Sequence, residues 1–297
     1  MKKLKKFCAD NIGFTFILPA LLFYTVFCII AVLVTIYFSF FDWNGIGFHT
    51  MEFVGLKNYL EVFRDDDFWN SMKNNLIWLV LSCTLPLVLS LTLAVLLSSS
   101  RTKGKTFFRT VYFLPLMLSM PAVASIWQFI YNPTRGVIVW FMKLFGVSNP
   151  IFAWLGDPSM VMLALFIAAM WAGFGFNIVI FMAALQGVDP TYYEYALISG
   201  ANRFQMTMKI TIPIIAGVFT MILLNTIIGS FKVFDIIWVM TQGGPFKSSE
   251  VVAVQMYSQT FKYMRMGYGS TLGVVFTSLI CVLSVLYVKY TSRWSNS

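Results

Sequence analysis

Few residues in this chain are placed to do chemistry. It has one histidine, His49, and four cysteines, Cys8, Cys28, Cys83 and Cys281, with no pair at metal-ligand or redox spacing. A His-based metal site is not expected. Cys28, Cys83 and Cys281 sit inside apolar runs and read as small apolar packers. Gly104-Lys105-Thr106 ends like a phosphate-binding loop. The first glycine of that pattern would fall on Ser99, however, and the flanks are apolar runs rather than a strand and a helix. It reads as a basic turn, so no ATP site is expected on this chain. The most demanding spacing joins Glu194, Tyr195, Ala196, Gly200, Ile210 and Pro213, between two apolar runs. Asp189 can cap a helix with Pro190 at its first position. That helix would carry Glu194 and Ala196, and Gly200 can take the left-handed conformation that ends it. A second short helix can follow from about Asn202, and Pro213 then opens the next run. Two short helices at an angle form a rigid knob suited to docking. By geometry alone, an interfacial linker with no partner fits equally.

The elements that hold these residues follow from composition. Of 297 residues, 59% are hydrophobic and 11% charged. Counted with Gly and without Tyr, about 61% are apolar, against roughly 45–50% in soluble domains that are about 25% charged. A soluble fold of this length cannot hide so much apolar surface. Soluble enzymes, disordered chains and nucleic-acid binders are excluded, leaving an all-α polytopic membrane protein.

A membrane helix needs about 20 mostly apolar residues. Six stretches qualify, at about 13–41, 76–97, 111–131, 160–185, 214–240 and 266–288, in a single transmembrane domain covering 1–297. The first follows Lys2, Lys3, Lys5 and Lys6. It is longer than a secretory signal core and lacks a small-residue cleavage site, so it reads as a retained span. Six spans put both termini on one side. With the amino terminus inside, short inner segments hold 12 cations, while longer outer loops hold eight and most of the acids. The positive-inside rule therefore favours cytoplasmic termini. The loop 42–74 should carry a short helix around Leu56–Phe63. The loop 132–159, with Trp140 and Trp154, suits the membrane interface. Lys232 and Asp235 share a helical face. Lys232 lies roughly 28 Å beyond Pro213, near the outer interface. Snorkelling, an internal ion pair, or a role at the outer mouth all remain open for this pair.

The Glu194 segment resembles the EAA loop of permease subunits of binding-protein-dependent ABC importers. That pattern is Glu-Ala-Ala, three residues, Gly, nine residues, then Ile-x-Leu-Pro. Here Glu194-Tyr195-Ala196 is followed at the same spacing by Gly200 and by Ile210-Thr211-Ile212-Pro213. Tyr195 and Ile212 depart from it, and Ser199 stands where Asp is common. Phe53-Val-Gly-Leu-Lys-Asn-Tyr59, Phe68-Trp69-Asn70, Ala184-Leu185-Gln186 and Thr241-Gln-Gly-Gly-Pro245 are similar, in the same order, to segments of the carbohydrate-uptake branch (maltose/lactose/glycerol-phosphate permease type).

The resemblance implies a type I ABC importer transmembrane domain whose loop 186–213 is a coupling helix. That helix would dock on separate cytoplasmic ATPase subunits that hold the ATP and Mg. It further implies a second, homologous permease subunit, two ATPases and an extracytoplasmic sugar-binding protein, in the cytoplasmic membrane. The cargo would be a sugar, of oligosaccharide size. Sugars present hydroxyls and apolar ring faces, so aromatic platforms with amides or hydroxyls suit their path. Trp171, Phe174, Asn177, Asn225, Ser230 and Phe231 are the candidates. For Asn177 and Asn225 an interhelical hydrogen bond is an equal alternative, and any one aromatic can serve packing alone. An ATP-independent carrier or channel is the competing class; such carriers often carry internal repeats, and the sequence has none.

Overall fold

A computed structural model describes residues 12–98, 102–147 and 153–295, the first four and last six of these by backbone alone. Lys2, Lys3, Lys5, Lys6, Cys8, Arg101 and the side chain of Arg293 lie outside the described part. Among the described residues, five helices are long and apolar enough to cross a membrane, or six if one bent pair is a single span. Contacts divide the chain into two compact units. The first comprises residues up to Asp65 with Met256–Thr277, the second Asp66–Gln255 with residues from Ser278 on.

In the first unit, α1 runs over 12–38 with a π turn at Thr25–Ile30. Between Phe16 and Phe38 none of its side chains is buried by the rest of the chain. Its hydroxyls are satisfied internally: Thr25 and Thr35 donate to the carbonyls of Leu21 and Ala31, each at 2.8 Å, as a helix in lipid requires. Beyond α1, β1 (Phe41–Asp42) pairs antiparallel with β2 (Glu52–Phe53). The short helix expected near Leu56 is α2, Lys57–Arg64. Its buried Asn58 donates to the carbonyls of Ser39 and Phe41 at 3.0 and 2.9 Å, and Tyr59 bonds Ser39 Oγ at 2.6 Å. Asn58 thus closes the carbonyls left open where the first span ends, and Tyr59 holds the Ser39 hydroxyl. Gly267 lies against this turn, where a Cβ would meet the Phe41 carbonyl at 1.9 Å.

The second unit is built on α3 (Asp66–Ser98) and α7 (Val161–Gln186), packed along each other. α3 begins ten residues before the apolar stretch, because Asp66 and Asp67 suit its first turn. Between them, over the expected third span at 111–131, lie α4 (Lys105–Phe113) and α5 (Met120–Ile130). They meet at 101° rather than forming one helix. The cause is the proline pair. Leu118 and Ser119 are extended, and Pro121, lacking an N–H, fits the first turn of the helix that follows. α6 (Val137–Leu144) exposes Trp140 and Phe141. After the loop carrying Glu194, α10 (Ala216–Phe231) and α11 (Asp235–Met240) make the fifth span, broken over 232–234. Next come α12 (Val252–Tyr257) and α13 (Met266–Ser295).

Lipid offers no hydrophobic drive for helix association, so close packing and interhelical hydrogen bonds hold the unit. Ser90 Oγ donates to the Phe174 carbonyl at 3.0 Å, and Tyr131 Oη donates to that of Ala164 at 3.0 Å. Gln128 Nε2 donates to Val239 at 2.8 Å, tying α5 to α11. At Gly175 the α4 backbone comes so near that a Cβ would sit 1.9 Å from the Tyr112 carbonyl oxygen. Gly175→Val should therefore force α4 off α7 and cost about 1–3 kcal/mol. Thermal unfolding of the purified chain should show a clear fall in midpoint. Gly217→Ala, whose Cβ meets nothing within 4 Å, should leave it unchanged.

Candidate coupling knob and membrane cavity

The loop from Asp189 to Pro213 folds as its sequence dictates. Asp189 Oδ1 accepts from the Thr191 amide at 2.9 Å and its hydroxyl at 2.7 Å. The hydroxyl and amide of Thr191 hold the Asp189 carboxyl below the usual carboxylate range. The cap is therefore complete above the ordinary aspartate range and lost only as pH falls through the lowered value. α8 follows, Thr191–Ile198. Gly200 ends it at φ +79°. The Ala201 amide donates to the Ala196 carbonyl at 2.9 Å and the Gly200 amide to Leu197 at 3.0 Å, the double bond of a Schellman ending.

A second capping device starts α9, Arg203–Met206: the Asn202 side chain accepts from the Gln205 amide, and the Gln205 side chain accepts from the Asn202 amide, both at 2.9 Å. A π turn over Thr207–Thr211 holds half-buried Ile210. Pro213 opens the short helical turn Ile212–Ile214 just before α10.

The two halves are locked together. Tyr193 Oη and Thr211 Oγ1 are 3.0 Å apart, with Thr211 and Val188 buried beneath. The outward face is bare. Tyr195 is 67% and Ile198 84% exposed, and Glu194 is exposed with no bond to any described residue. A Cβ at Gly200 would point into open space, so only the backbone conformation requires glycine there. The result is a rigid, amphipathic knob with an acid and large apolar groups facing outward.

Deeper in the same unit, α3, α7 and α10 line an open cavity of about 210 Å³. Of the sequence candidates, it gathers Phe174, Asn177 and Ser230. The Asn177 side chain makes no hydrogen bond among the described residues. Ser230 Oγ is engaged with the Thr226 carbonyl at 2.6 Å. The other candidates lie elsewhere. Trp171 packs edge-on against Trp127 at 6.0 Å. Phe231 is fully buried, serving packing. Asn225 is exposed on α10, outside the cavity and without a hydrogen bond among the described residues. Trp78, Ser82 and Thr226, which line the cavity, were missed. Their signal was helical register: Thr226 is one turn before Ser230, and Ser82 one turn after Trp78.

Lys232 and Asp235 form no ion pair among the described residues. The helix breaks between them, so they no longer share a helical face; both are exposed. The sequence reading also missed a clamp at the start of α3. Asn70 and Asn74 donate to the carbonyls of Lys247 and Glu250 at 2.9 and 2.8 Å, while Asn75 Oδ1 accepts from the Val252 amide at 2.9 Å. Lys247 pairs with Asp67. The Phe68-Trp69-Asn70 segment thereby fixes the loop opened by Thr241–Pro245, in which Gln242, Gly243, Phe246 and Lys247 all have positive φ.

The two caps generate a prediction. Asn202→Ala removes the acceptor for the Gln205 amide, and should weaken the α9 start by about 1 kcal/mol. Amide exchange over 203–206 should quicken while that of α7 stays unchanged.

Residues 87–296 match the family model described as binding-protein-dependent transport system inner membrane component. Over 278 residues the chain is 36% identical to a probable ABC transporter permease protein from Pyrococcus horikoshii, covering 93% of this chain and 94% of the relative. It is 30% identical over 285 residues to the trehalose/maltose transport system permease protein MalF of Thermococcus litoralis, covering 96% and 95%. Among solved structures it is similar to a chain of a bacterial alginate ABC transporter in complex with alginate pentasaccharide-bound periplasmic protein. That match has a TM-score of 0.86 at 20% identity and covers 99% of both chains, a likeness of fold. With the bent and broken spans, the capped knob and these matches together, the chain belongs to the family of inner-membrane permease components of binding-protein-dependent ABC transport systems.

Proposed function

We propose that this chain is the membrane subunit through which a sugar of oligosaccharide size enters the cell, with transport driven by ATP hydrolysis on separate subunits. The carrying observation is the knob. Two short helices, the first closed at both ends and the second started by a capping box, that leave Glu194, Tyr195 and Ile198 bare support a docking role. In this reading the surface sits in a cleft of a cytoplasmic ATPase, and both termini are cytoplasmic. ATP and Mg are held by two such ATPase subunits, and this chain has no ATP site of its own. A second homologous permease subunit completes the pathway. An extracytoplasmic binding protein delivers the sugar. The chain works as one transmembrane domain.

The coupling is mechanical. Because Tyr193 and Thr211 bridge α8 to the segment that enters α10, a push on the knob moves α10 with it. α10 carries Thr226, Gly229 and Ser230 on the cavity wall. A displacement started by ATPase closure therefore reshapes the cavity, a two-state coupling of distant sites. In the cavity, the Asn177 amide and the Ser82 hydroxyl meet sugar hydroxyls, and Phe174 offers a ring face.

Reconstitution tests this directly. Uptake should require the ATPase and the binding protein. Uptake by this chain alone would instead establish an ATP-independent carrier. Gly200→Val, which forces a β-branched residue to φ +79°, and Glu194→Lys should both abolish ATP-dependent uptake while the chain still inserts in the membrane. Normal uptake in both would refute the docking role. Asn177→Leu should lower uptake about tenfold, the value of one lost hydrogen bond, with ATPase docking intact.

A further inference from the structure

A second cavity lies at the opposite end of α3 and α7 from the knob. It holds about 420 Å³, within the range of roughly 300–1,000 Å³ typical of ligand pockets. One stripe of α3 supplies Asn70, Lys73, Asn74, Ile77 and Leu81, the spacing of a single helical face. Across from it stand Ser159, just ahead of α7, and Met162 and Leu163, in its first turn. Both walls change character along the same direction. They are polar outside the apolar spans and apolar within them.

Lys73 is the charge of this pocket. It is exposed and has no ion pair or hydrogen bond among the described residues. Of the acids on this side, Asp67 pairs with Lys247, while Asp157 accepts the Ser159 amide and hydroxyl at 2.8 and 2.7 Å and forms no ion pair with Lys73 among the described residues. Those two bonds also hold the Asp157 carboxyl below the usual range. Below the cation, Ile77 and Leu163 are exposed, so the groove opens sideways along the span surface.

We propose that this groove is a binding site for an anionic phospholipid, with its phosphate on Lys73 and the remaining N–H of the Asn70 amide, and an acyl chain along Ile77, Leu81 and Met162. A free sugar or an acidic peptide would satisfy Lys73 but leave the apolar half of the groove wet. A phospholipid matches both halves at the depth where the span begins. One cation near a membrane surface contributes about 1 kcal/mol to attraction of anionic lipid.

The test uses the full chain in detergent, titrated with dioleoyl phosphatidylglycerol or dioleoyl phosphatidylcholine and read by native mass spectrometry. Phosphatidylglycerol should bind saturably and more tightly than phosphatidylcholine. Lys73→Ala should weaken it about fivefold to tenfold, and Lys73→Arg should retain it. Met162→Trp, which fills the groove and keeps the charge, should weaken both lipids. Millimolar inorganic phosphate should not displace the lipid. Unchanged phosphatidylglycerol binding in Lys73→Ala would overturn the proposal, as would displacement by inorganic phosphate, the sign of a bare anion site. Loss of binding-protein-stimulated uptake in Lys73→Ala with lipid binding intact would assign the cation to the protein partner instead. Lipid binding is read without transport, so this outcome is independent of the transport assignment.

Discussion

Everything in this chain is subordinate to one constraint: in hydrocarbon, each backbone N–H and C=O must find its partner within the protein. Helices meet it automatically, and the interest lies where a helix stops. At the end of α1 the freed carbonyls of Ser39 and Phe41 are taken by the Asn58 amide. At the break between α10 and α11 the Ser230 carbonyl faces Asn75 Nδ2 at 3.4 Å. At the end of α11 the carbonyls of Val239 and Met240 are taken by Gln128. A small number of amide side chains therefore permits the irregularities that a transporter needs.

Those irregularities are where motion can enter. The bend at Leu114–Ser119 and the break over 232–234 divide two spans into separately packed halves, whereas α3 and α7 run unbroken beside them. The knob attaches at the base of α10 through Tyr193 and Thr211. A force applied there reaches a segmented helix resting on a continuous scaffold. The close approach of Tyr112 to Gly175 fixes α4 on that scaffold without any side chain between them. Gly175 thus lets two backbones meet on the scaffold, and the knob is joined to the segmented span rather than to α3.

Much of this was legible before any coordinates. Local rules gave the knob: Asp189 before Pro190, Gly200 at the far end and Asn202 at a second start each have only one comfortable backbone role. The helix α7 starts and ends within one residue of the fourth apolar run, which is unbroken and uncharged. The bend in the third span was not read, although Pro115 and Pro121 were visible. Hydropathy averages over a window and does not register a turn between two apolar halves. The Asn70–Asn74–Asn75 clamp was also invisible, since its partners lie more than 150 residues away in sequence.

The division follows from the range of the forces. The sequence by itself determined the membrane class, the number of apolar stretches, the helix caps and the family motif, because each depends on composition or on neighbours within a few residues. Only the tertiary structure decided which polar side chains face a cavity. Asn177 and Asn225 carry the same amide in equally apolar surroundings, yet one lines the space between α3, α7 and α10 while the other is exposed outside it. That difference is set by how the helices are rotated against one another. The rotation is fixed by contacts such as Ser90 to Phe174 on α7 and Asn75 to Ser230 on α10, which no local pattern encodes.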